Sequence, residues 1–405
     1  MRIIVQKFGG TSLISPDLRQ KVIEHITGAI KDGYSPIIVV SAMGRRGDPY
    51  ATDSFLDFIY NITPLPPQRE IDSIISCGEI VSAATLASQL HNSGVKAVSL
   101  TGWQAGIITD GVFGQAEIIR IRKDRILRLL TDSHVLVIAG FQGVSEDGEI
   151  NTLGRGGSDT SAVALGAALG AEFVEIYSDV DTVMTADPRL VPDAKPISDI
   201  GYQEVLQMAR EGAKVIHPRA VDIALQHNLP LLLKKTGEFG GGTLVSHKKT
   251  SDKKGFIQKQ RVVNGITHII GLAQVRLQDT QVQVGGLEEI LRKLALAGIS
   301  IDLINISPQE KMFTVPSADA ERVSSIMTEL GYLATIRQGF AKVSVVGVGM
   351  RGIPGVMARV VCALSKAGTE ILQTADSHLS ISCLIPEKDV AEAVKSLHME
   401  FSLGA

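Results

Sequence analysis

Over residues 1–235 the chain alternates short β-branched runs with helical patterns, and this alternation is what most limits its fold. Runs at 2–6, 36–41, 95–100, 134–139, 172–177 and 230–234 read as strands. Segments 16–32, 67–75, 79–92, 122–131, 158–169, 202–211 and 218–227 carry apolar residues at helical spacing. Strands interleaved with helices bury both faces of a sheet, so the spacing predicts an α/β domain whose sheet is largely parallel. Ligands of such sheets bind beyond the carboxyl ends of the strands.

Two glycine-rich turns fall at such ends. In NTLGRGGSDTSA (151–162) a strand-like run enters Gly154, Arg155, Gly156 and Gly157, and an alanine-rich helix follows. A helix start presents unpaired N–H groups and partial positive charge, and glycines let an anion approach that backbone. Arg155 adds a fork of donors shaped for a carboxylate or phosphate. The plainer reading is a strand–helix turn with Ser158 or Asp159 as N-cap. In RIIVQKFGGTS, Lys7, Gly9 and Gly10 follow the first strand, and Ser15 and Pro16 open a helix as N-cap and first residue. A lysine beside two glycines suits phosphate, although the GxxxxGK[ST] order is absent. With the loop SAMGRRGDPYATD (41–53), three loops converge on one edge, as for a site that takes two anionic ligands.

Composition excludes other classes. The formal net charge is −3, which leaves no basic footprint for nucleic acid, and aromatics are 4% of residues, too few for a base-stacking platform. Cys77, Cys362 and Cys383 are scattered without zinc or disulfide spacing, which favours reduced thiols in the cytoplasm. Lys7 interrupts any signal-peptide core, and VLVIAG (135–140) is too short to cross a bilayer.

After TGEFGGGTLVSHKKTSDKKGF, read as a closing turn and a solvated linker, residues 261–405 contain a repeat. Sliding the chain so that Gly285 falls on Gly355 also places Leu294 on Leu364, Gly298 on Gly368, Ile301 on Ile371, Ser307 on Ser377 and Pro316 on Pro386. Each unit reads as a ferredoxin-like βαββαβ element. Gly347, Gly349 and Gly352 spell GxGxxG, with Asp376 placed like a ribose-binding acid. Too little chain follows to complete a dinucleotide fold, and the sister repeat lacks the motif, so a nicotinamide site is rejected.

These residues closely resemble the aspartokinase family. The resemblance rests on VQKFGGTS (5–12), VVSAMG (39–44), CGE (77–79), GFQG (140–143), TLGRGGSDTSA (152–162), SDVDTVMTADPR (178–189), GAKVIHP (212–218) and GGTLVS (241–246). It implies a three-layer α/β/α amino-acid-kinase domain at 1–246, a linker at 247–260 and ACT domains at 261–336 and 337–405. It also implies the monofunctional form, and GRRGDPYATD resembles the diaminopimelate-sensitive type of Gram-positive spore formers. The implied activity is phosphorylation of the L-aspartate side chain by ATP with Mg²⁺, an early step toward diaminopimelate, lysine, threonine and methionine.

By the same resemblance, Lys7, Gly9 and Gly10 form the nucleotide phosphate loop, and Ser41 and Thr52 sit on the loop that closes over the reactants. Glu79 meets the aspartate ammonium, Arg155 clamps its α-carboxylate, and Asp159 is the neighbouring acid. Ser178, Asp179, Met184 and Arg189 belong to the nucleotide pocket, and Lys214 is a second phosphate-region lysine. Thr182 and Met184 depart from the family's usual residues on the adenine side. The ACT domains imply a homodimer or larger assembly and an amino-acid effector: meso-diaminopimelate first, then lysine, then threonine. Candidate effector residues are Gln283, Asp302 and Ser307 in one unit and Gln373 and Ser377 in the other.

Each residue also has a plain reading. Glu79 can pair with Arg69 or sit in a helix's first turn, Lys7 and Lys214 can be solvated charges, and Asp179 and Asp181 can be turn formers. His217 before Pro218 reads as a helix cap rather than a base, and the ACT residues as turn formers. Rival functions are a glutamate or acetylglutamate kinase of the same fold, and a non-catalytic amino-acid sensor.

Overall fold

The computed structural model describes residues 1–404 except 133, 180–181, 214, 248–261, 279–285, 308–309, 349 and 351–352. Two compact units emerge. The first holds Met1–Val183, Pro196–Ala209 and the described part of 214–255; the second holds Met184–Lys195, Arg210–Ala213 and the described part of 256–405.

In the first unit, β1 (Arg2–Phe8), α1 (Pro16–Lys31), β2 (Tyr34–Val40), α2 (Thr52–Ile62), α3 (Gln68–Ile75), α4 (Cys77–Asn92) and β3 (Ala97–Leu100) come first. Then follow β4 (Ile107–Thr109), β5 (Ile118–Ile121), α5 (Asp124–Thr131), β6 (Val135–Ala139), β7 (Gln142–Ser145), β8 (Ile150–Thr152), α6 (Gly157–Leu169) and β9 (Val174–Ser178). The unit closes with β10 (Asp199–Gly201), α7 (Tyr202–Arg210), α8 (Pro218–Gln226), β11 (Leu231–Lys235) and β12 (Thr243–Ser246). Its main sheet has the order β10-β12-β11-β9-β1-β2-β6-β3. The six strands from β11 to β3 are parallel, and β12 runs against β11. Because β1 lies between β2 and β9, the chain reverses its direction of winding there, and β1's carboxyl end is the topological switch point. The interior strands are near-continuous apolar runs, as burial on both faces demands: Ile37, Ile38, Val39 and Val40 of β2 are fully buried. Val22 and Ile26 of α1 and Leu86 and Leu90 of α4 pack on one face in a single core cluster.

The strands and helices expected from the alternation are all present, with ends shifted by a few residues. Other features were not expected: β10 and β12 add strands to the main sheet, the latter within the segment read as a closing turn. The end of the 41–53 loop continues into α2, and a small sheet forms from β5, β4, β7 and β8. The α3–α4 run (Gln68–Asn92) is long and apolar enough to pass as a membrane span by composition. It buries Asp72 and Glu79, and Leu86 and Leu90 lie in the core, so it is an interior helix pair.

The second unit has one six-stranded antiparallel sheet, built from β13 (Gly265–Gln278), α9 (Gly286–Leu296), β14 (Asp302–Ile306), β15 (Glu310–Pro316), α10 (Ala320–Glu329), β16 (Ala334–Val346), α11 (Val356–Lys366), β17 (Gln373–Asp376), β18 (Ser380–Pro386) and α12 (Val390–Glu400). The strand order is β14-β15-β13-β16-β18-β17. The two central strands are long because each serves both repeats. The far half of β13 pairs with β15, whereas its first residues, Gly265–Ile269, pair with Val346–Lys342 of β16. The second repeat was expected to end in its own strand. Instead α12 is followed by turns, and the start of β13 fills the missing strand position. Each repeat has its own core: Val275, Phe313 and Val323 in one, Val343, Val360 and Leu397 in the other.

Candidate active site

The carboxyl ends of β11, β9, β1, β2 and β6 lie side by side, so the turns after them share one edge. Lys7 is the penultimate residue of β1, and its side chain runs toward α6, where its Nζ meets Asp159 Oδ1 at 2.7 Å. Both side chains are largely withdrawn from water, at 11% and 14% exposure. The two glycine motifs, distant in sequence, are therefore joined by an ion pair.

The backbone after β1 is fixed by its neighbours. Gly9 N–H donates to the Tyr177 carbonyl at 3.2 Å, and Gly44 N–H donates to the Gly10 carbonyl at 3.2 Å. A Cβ on Gly10 would stand 2.2 Å from the Ala42 carbonyl oxygen, so only glycine allows the 41–44 loop to lie this close. Ser41 donates its N–H to Phe8 O, and Thr52 is the first residue of α2. Arg45 of this loop forms an ion pair with Asp179, just past β9.

The turn into α6 is capped differently from expectation. Neither Ser158 nor Asp159 is the N-cap; Gly156 holds that position at φ +71° without a side-chain cap. That left-handed conformation carries the chain sharply into the helix, which a residue with a Cβ resists. Asp159 lies in the first turn, and Arg155 is exposed at its mouth.

Glu79 sits in the first turn of α4 and is buried. It does not pair with Arg69, whose guanidinium is engaged by Glu149 and Glu70. Its Oε1 accepts the Ala42 N–H at 3.0 Å, while its Oε2 is buried with no hydrogen-bond partner. Burial pushes the carboxyl up to about 8, against the opposing pull of that N–H. A buried acceptor without a donor is costly, and an incoming ammonium would relieve it. On α3, by contrast, the buried Asp72 is fully satisfied, accepting the N–H groups of Gly114 and Thr152 at 2.8 Å, and it ties α3 to the small sheet.

His217 is at the N-cap position of α8, as expected, but its side chain makes no capping bond. Burial lowers its pKa, with Asp159 opposing and Arg219 and Arg155 assisting. Sequence reading missed a buried group below the strand ends. Glu175 accepts from Lys234 at 2.6 Å, Gln6 at 2.7 Å and the Tyr177 hydroxyl at 3.0 Å. Only the lysine there carries a sequence signal, the pair KK at the end of β11.

The remaining candidates are separated. Lys7, Gly9, Gly10, Ser41, Thr52, Glu79, Arg155, Asp159, Ser178 and Asp179 all belong to the first unit. Met184 and Arg189 fall in the second unit, where Met184 packs on the core of the second repeat and Arg189 pairs with Asp187 at 2.6 Å. Lys214 and Asp181 lie outside the described residues, as does Gln283.

In the second unit, Asp302 forms an ion pair with the buried Lys342, and its Oδ1 accepts the Leu303 N–H at 2.7 Å. Lys342 also pairs with Glu211 at 2.8 Å. The buried Gln373 donates to the carbonyl of Leu303, the residue after Asp302, so a candidate of the second repeat touches the first repeat's β14. Ser307 and Ser377 bond within their own turns, to Glu310 and Ser380. Ser377 also lines a cavity of about 460 Å³ with Met350, Ile353, Val356, Met357 and Asp376. All three cysteines are free, and among the described residues no group of three His, Cys, Asp or Glu side chains could hold a metal ion.

Comparison with known proteins accords with this geometry. Residues 2–235 match the amino acid kinase family, and residues 343–401 match the ACT domain. The chain is 44% identical to aspartokinase 1 of Bacillus subtilis over the whole of both chains. It is 41% identical to the aspartokinase of Geobacillus stearothermophilus, covering 100% of this chain and 98% of that one. Escherichia coli aspartokinase III, solved with aspartate and ADP, superposes with a TM-score of 0.78 at 24% identity, over 98% of this chain and 99% of that one. Synechocystis aspartate kinase gives 0.55 at 35% identity, covering 98% of this chain and 69% of the other.

Proposed function

The chain belongs to the aspartokinases, amino acid kinases that carry ACT domains, and on that premise we propose how its residues move the γ-phosphoryl group of ATP to the side-chain carboxylate of L-aspartate. The observation that carries the substrate assignment is Glu79, a buried carboxyl with one oxygen unpartnered. It takes the free ammonium of aspartate, which an acetylated substrate lacks. Arg155 receives the α-carboxylate at the start of α6, where the helix dipole adds to its charge.

Both reactants are anions, so catalysis is positioning and neutralisation of charge in a loose transition state. Lys7 serves the transferring phosphoryl group, and Asp159, at 2.7 Å, aims its ammonium. Lys214 is assigned the same region. Gly9 and Gly10 bring backbone to the phosphates, Ser41 and Thr52 close over the reactants, and Ser178, Asp179, Met184 and Arg189 are assigned to the nucleotide. No general base is needed, because the attacking carboxylate is already ionised at neutral pH. Mg²⁺ fits as an ion held mainly by phosphate oxygens and water, since no three-ligand cluster is present among the described residues; it would supply further charge neutralisation.

Residues 1–246 are read as the catalytic domain, 247–260 as the linker, and 261–336 and 337–405 as ACT domains that bind an amino acid and inhibit the kinase. Asp302 and Ser307 with Gln283, and Gln373 and Ser377, are the candidate contacts, and meso-diaminopimelate, lysine and threonine the candidate effectors. A cytoplasmic homodimer or larger assembly fits these roles. An ADP-release assay with aspartate, glutamate and acetylglutamate tests the function. ADP formation with aspartate alone is expected; release with either alternative and none with aspartate, from folded protein, sinks the assignment.

A further inference from the structure

The turn that carries Arg155 is held from outside itself. Gly156 caps α6 without a side-chain bond, and the support comes from the first turn of α8. Arg219 donates from Nη1 to the Leu153 carbonyl at 2.9 Å and from Nη2 to the Ala116 carbonyl at 3.1 Å. Those carbonyls sit on two strands of chain that already run together, because Ala116 N–H donates to Thr152 O at 2.9 Å. The guanidinium fork spans them, and a lysine, with a single point of charge, could not.

His217 completes the brace. A Cβ on Gly156 would lie 2.1 Å from His217 Cγ, so the imidazole is pressed against the turn. On the other side, a Cβ on Gly157 would lie 2.8 Å from the Phe141 ring. The entry to α6 is thus gripped between the start of α8 and Phe141, and Arg155 and Asp159 project from the gripped segment. His217 Nδ1 is buried without a partner, and burial disfavours the charged form of the ring, with the nearby Arg219 and Arg155 acting in the same direction.

We propose that Arg219 is a positioning residue for the phosphoryl transfer, fixing through its two carbonyl contacts the turn that presents Arg155 to the substrate α-carboxylate. The proposal rests on the reading of Arg155 as that clamp. Arg219 touches no reactant; it acts by holding the geometry in which aspartate binds. Its loss therefore weakens aspartate in ground and transition states alike and leaves the nucleotide side untouched.

The test is steady-state kinetics, with aspartate and ATP varied separately, on Arg219→Ala, Arg219→Lys and Arg155→Ala, each with a thermal melt. Arg219→Ala should raise KM for aspartate about tenfold, with kcat and KM for ATP changed less than about twofold. Arg219→Lys should resemble Arg219→Ala, because it keeps the charge and loses the fork. Methylguanidinium added to Arg219→Ala should restore part of the aspartate affinity. A kcat loss with unchanged aspartate KM, or full rescue by Arg219→Lys, overturns the proposal. If Arg155→Ala leaves aspartate KM unchanged while Arg219→Ala raises it, the clamp reading fails and the positioning of the turn by Arg219 stands. Should Arg219→Ala melt too low for assay, the Lys variant carries the same comparison.

Discussion

Single residues in this chain are tuned by what surrounds them more than by their type. The carboxyl of Glu79 is raised from 4.5 to about 8 by burial. In the unfolded chain it ionises near its ordinary value, so between these limits the fold binds more protons than the open chain. Its contribution to stability is complete below about pH 4.5 and is lost as pH rises through 8. Melting curves across pH 5–8 without ligand should show the wild type losing stability relative to Glu79→Gln, with the gap widest near pH 8. A pH-independent gap contradicts the burial argument. The same ionisation serves binding: kcat/KM for aspartate should climb toward pH 8, and Glu79→Gln should lie far lower and lose that climb. Gly10 offers a second case. Its missing Cβ leaves room for the Ala42 carbonyl, which is backbone and cannot swing aside. Gly10→Ala should cost about 1–3 kcal/mol in chemical denaturation and raise KM for ATP, since overpacking displaces the loop. Unchanged nucleotide affinity would count against a phosphate role for this loop.

Elements show a contrast between what pattern reveals and what it hides. The six parallel strands of the main sheet were legible because burial on both faces forces runs such as PIIVV and VLVIA, whereas the edge strands β10 and β12, three and four residues long, were not. Lys7 and Arg155 were legible because each sits among glycines where β gives way to α. Helix α2 was not. Its start is masked by the turn signals of GRRGDPYATD, and none of its residues is buried, so no core pattern announces it. Arg219 was equally hidden: its partners are main-chain carbonyls, which leave no trace in residue type. In the second unit, Lys342 sits at 5% side-chain exposure inside β16, an unusual place for a lysine unless its charge is matched. Glu211 and Asp302 match it, and the Ser344 hydroxyl donates to Glu211 at 2.7 Å. Lys342→Ala takes a paired cation away from the buried Glu211 and from Asp302, and should cost about 3–5 kcal/mol in denaturant unfolding. A loss below about 1 kcal/mol would mean that Lys342 contributes little to holding Glu211 in the core.

For the whole molecule, regulation requires that an effector bind the folded chain and shift its activity together with its stability. At one hundred times its Kd a ligand adds about 2.7 kcal/mol to stability, enough to read as a clear rise in Tm. The expected outcome is that one of meso-diaminopimelate, lysine or threonine inhibits and raises Tm at matching concentrations. If none does either at millimolar levels, the repeats are better read as an assembly module. The shared strand β13 has a consequence of another kind. Its first residues, Gly265–Ile269, leave the ribosome long before Val346–Lys342, the strand they pair with, and the whole first repeat is made in the interval. The second repeat opens like a bracket, the first is completed inside it, and only then can the bracket close. A premature stop after α10 would strand an unpaired edge rather than release a tidy smaller protein. The order of loss is therefore fixed: trimming from the end removes the second repeat first and leaves Gly265–Ile269 without the strand it pairs with, and only a cut that reaches β16's first half, which pairs with Leu272–Leu277, dismantles the inner repeat as well.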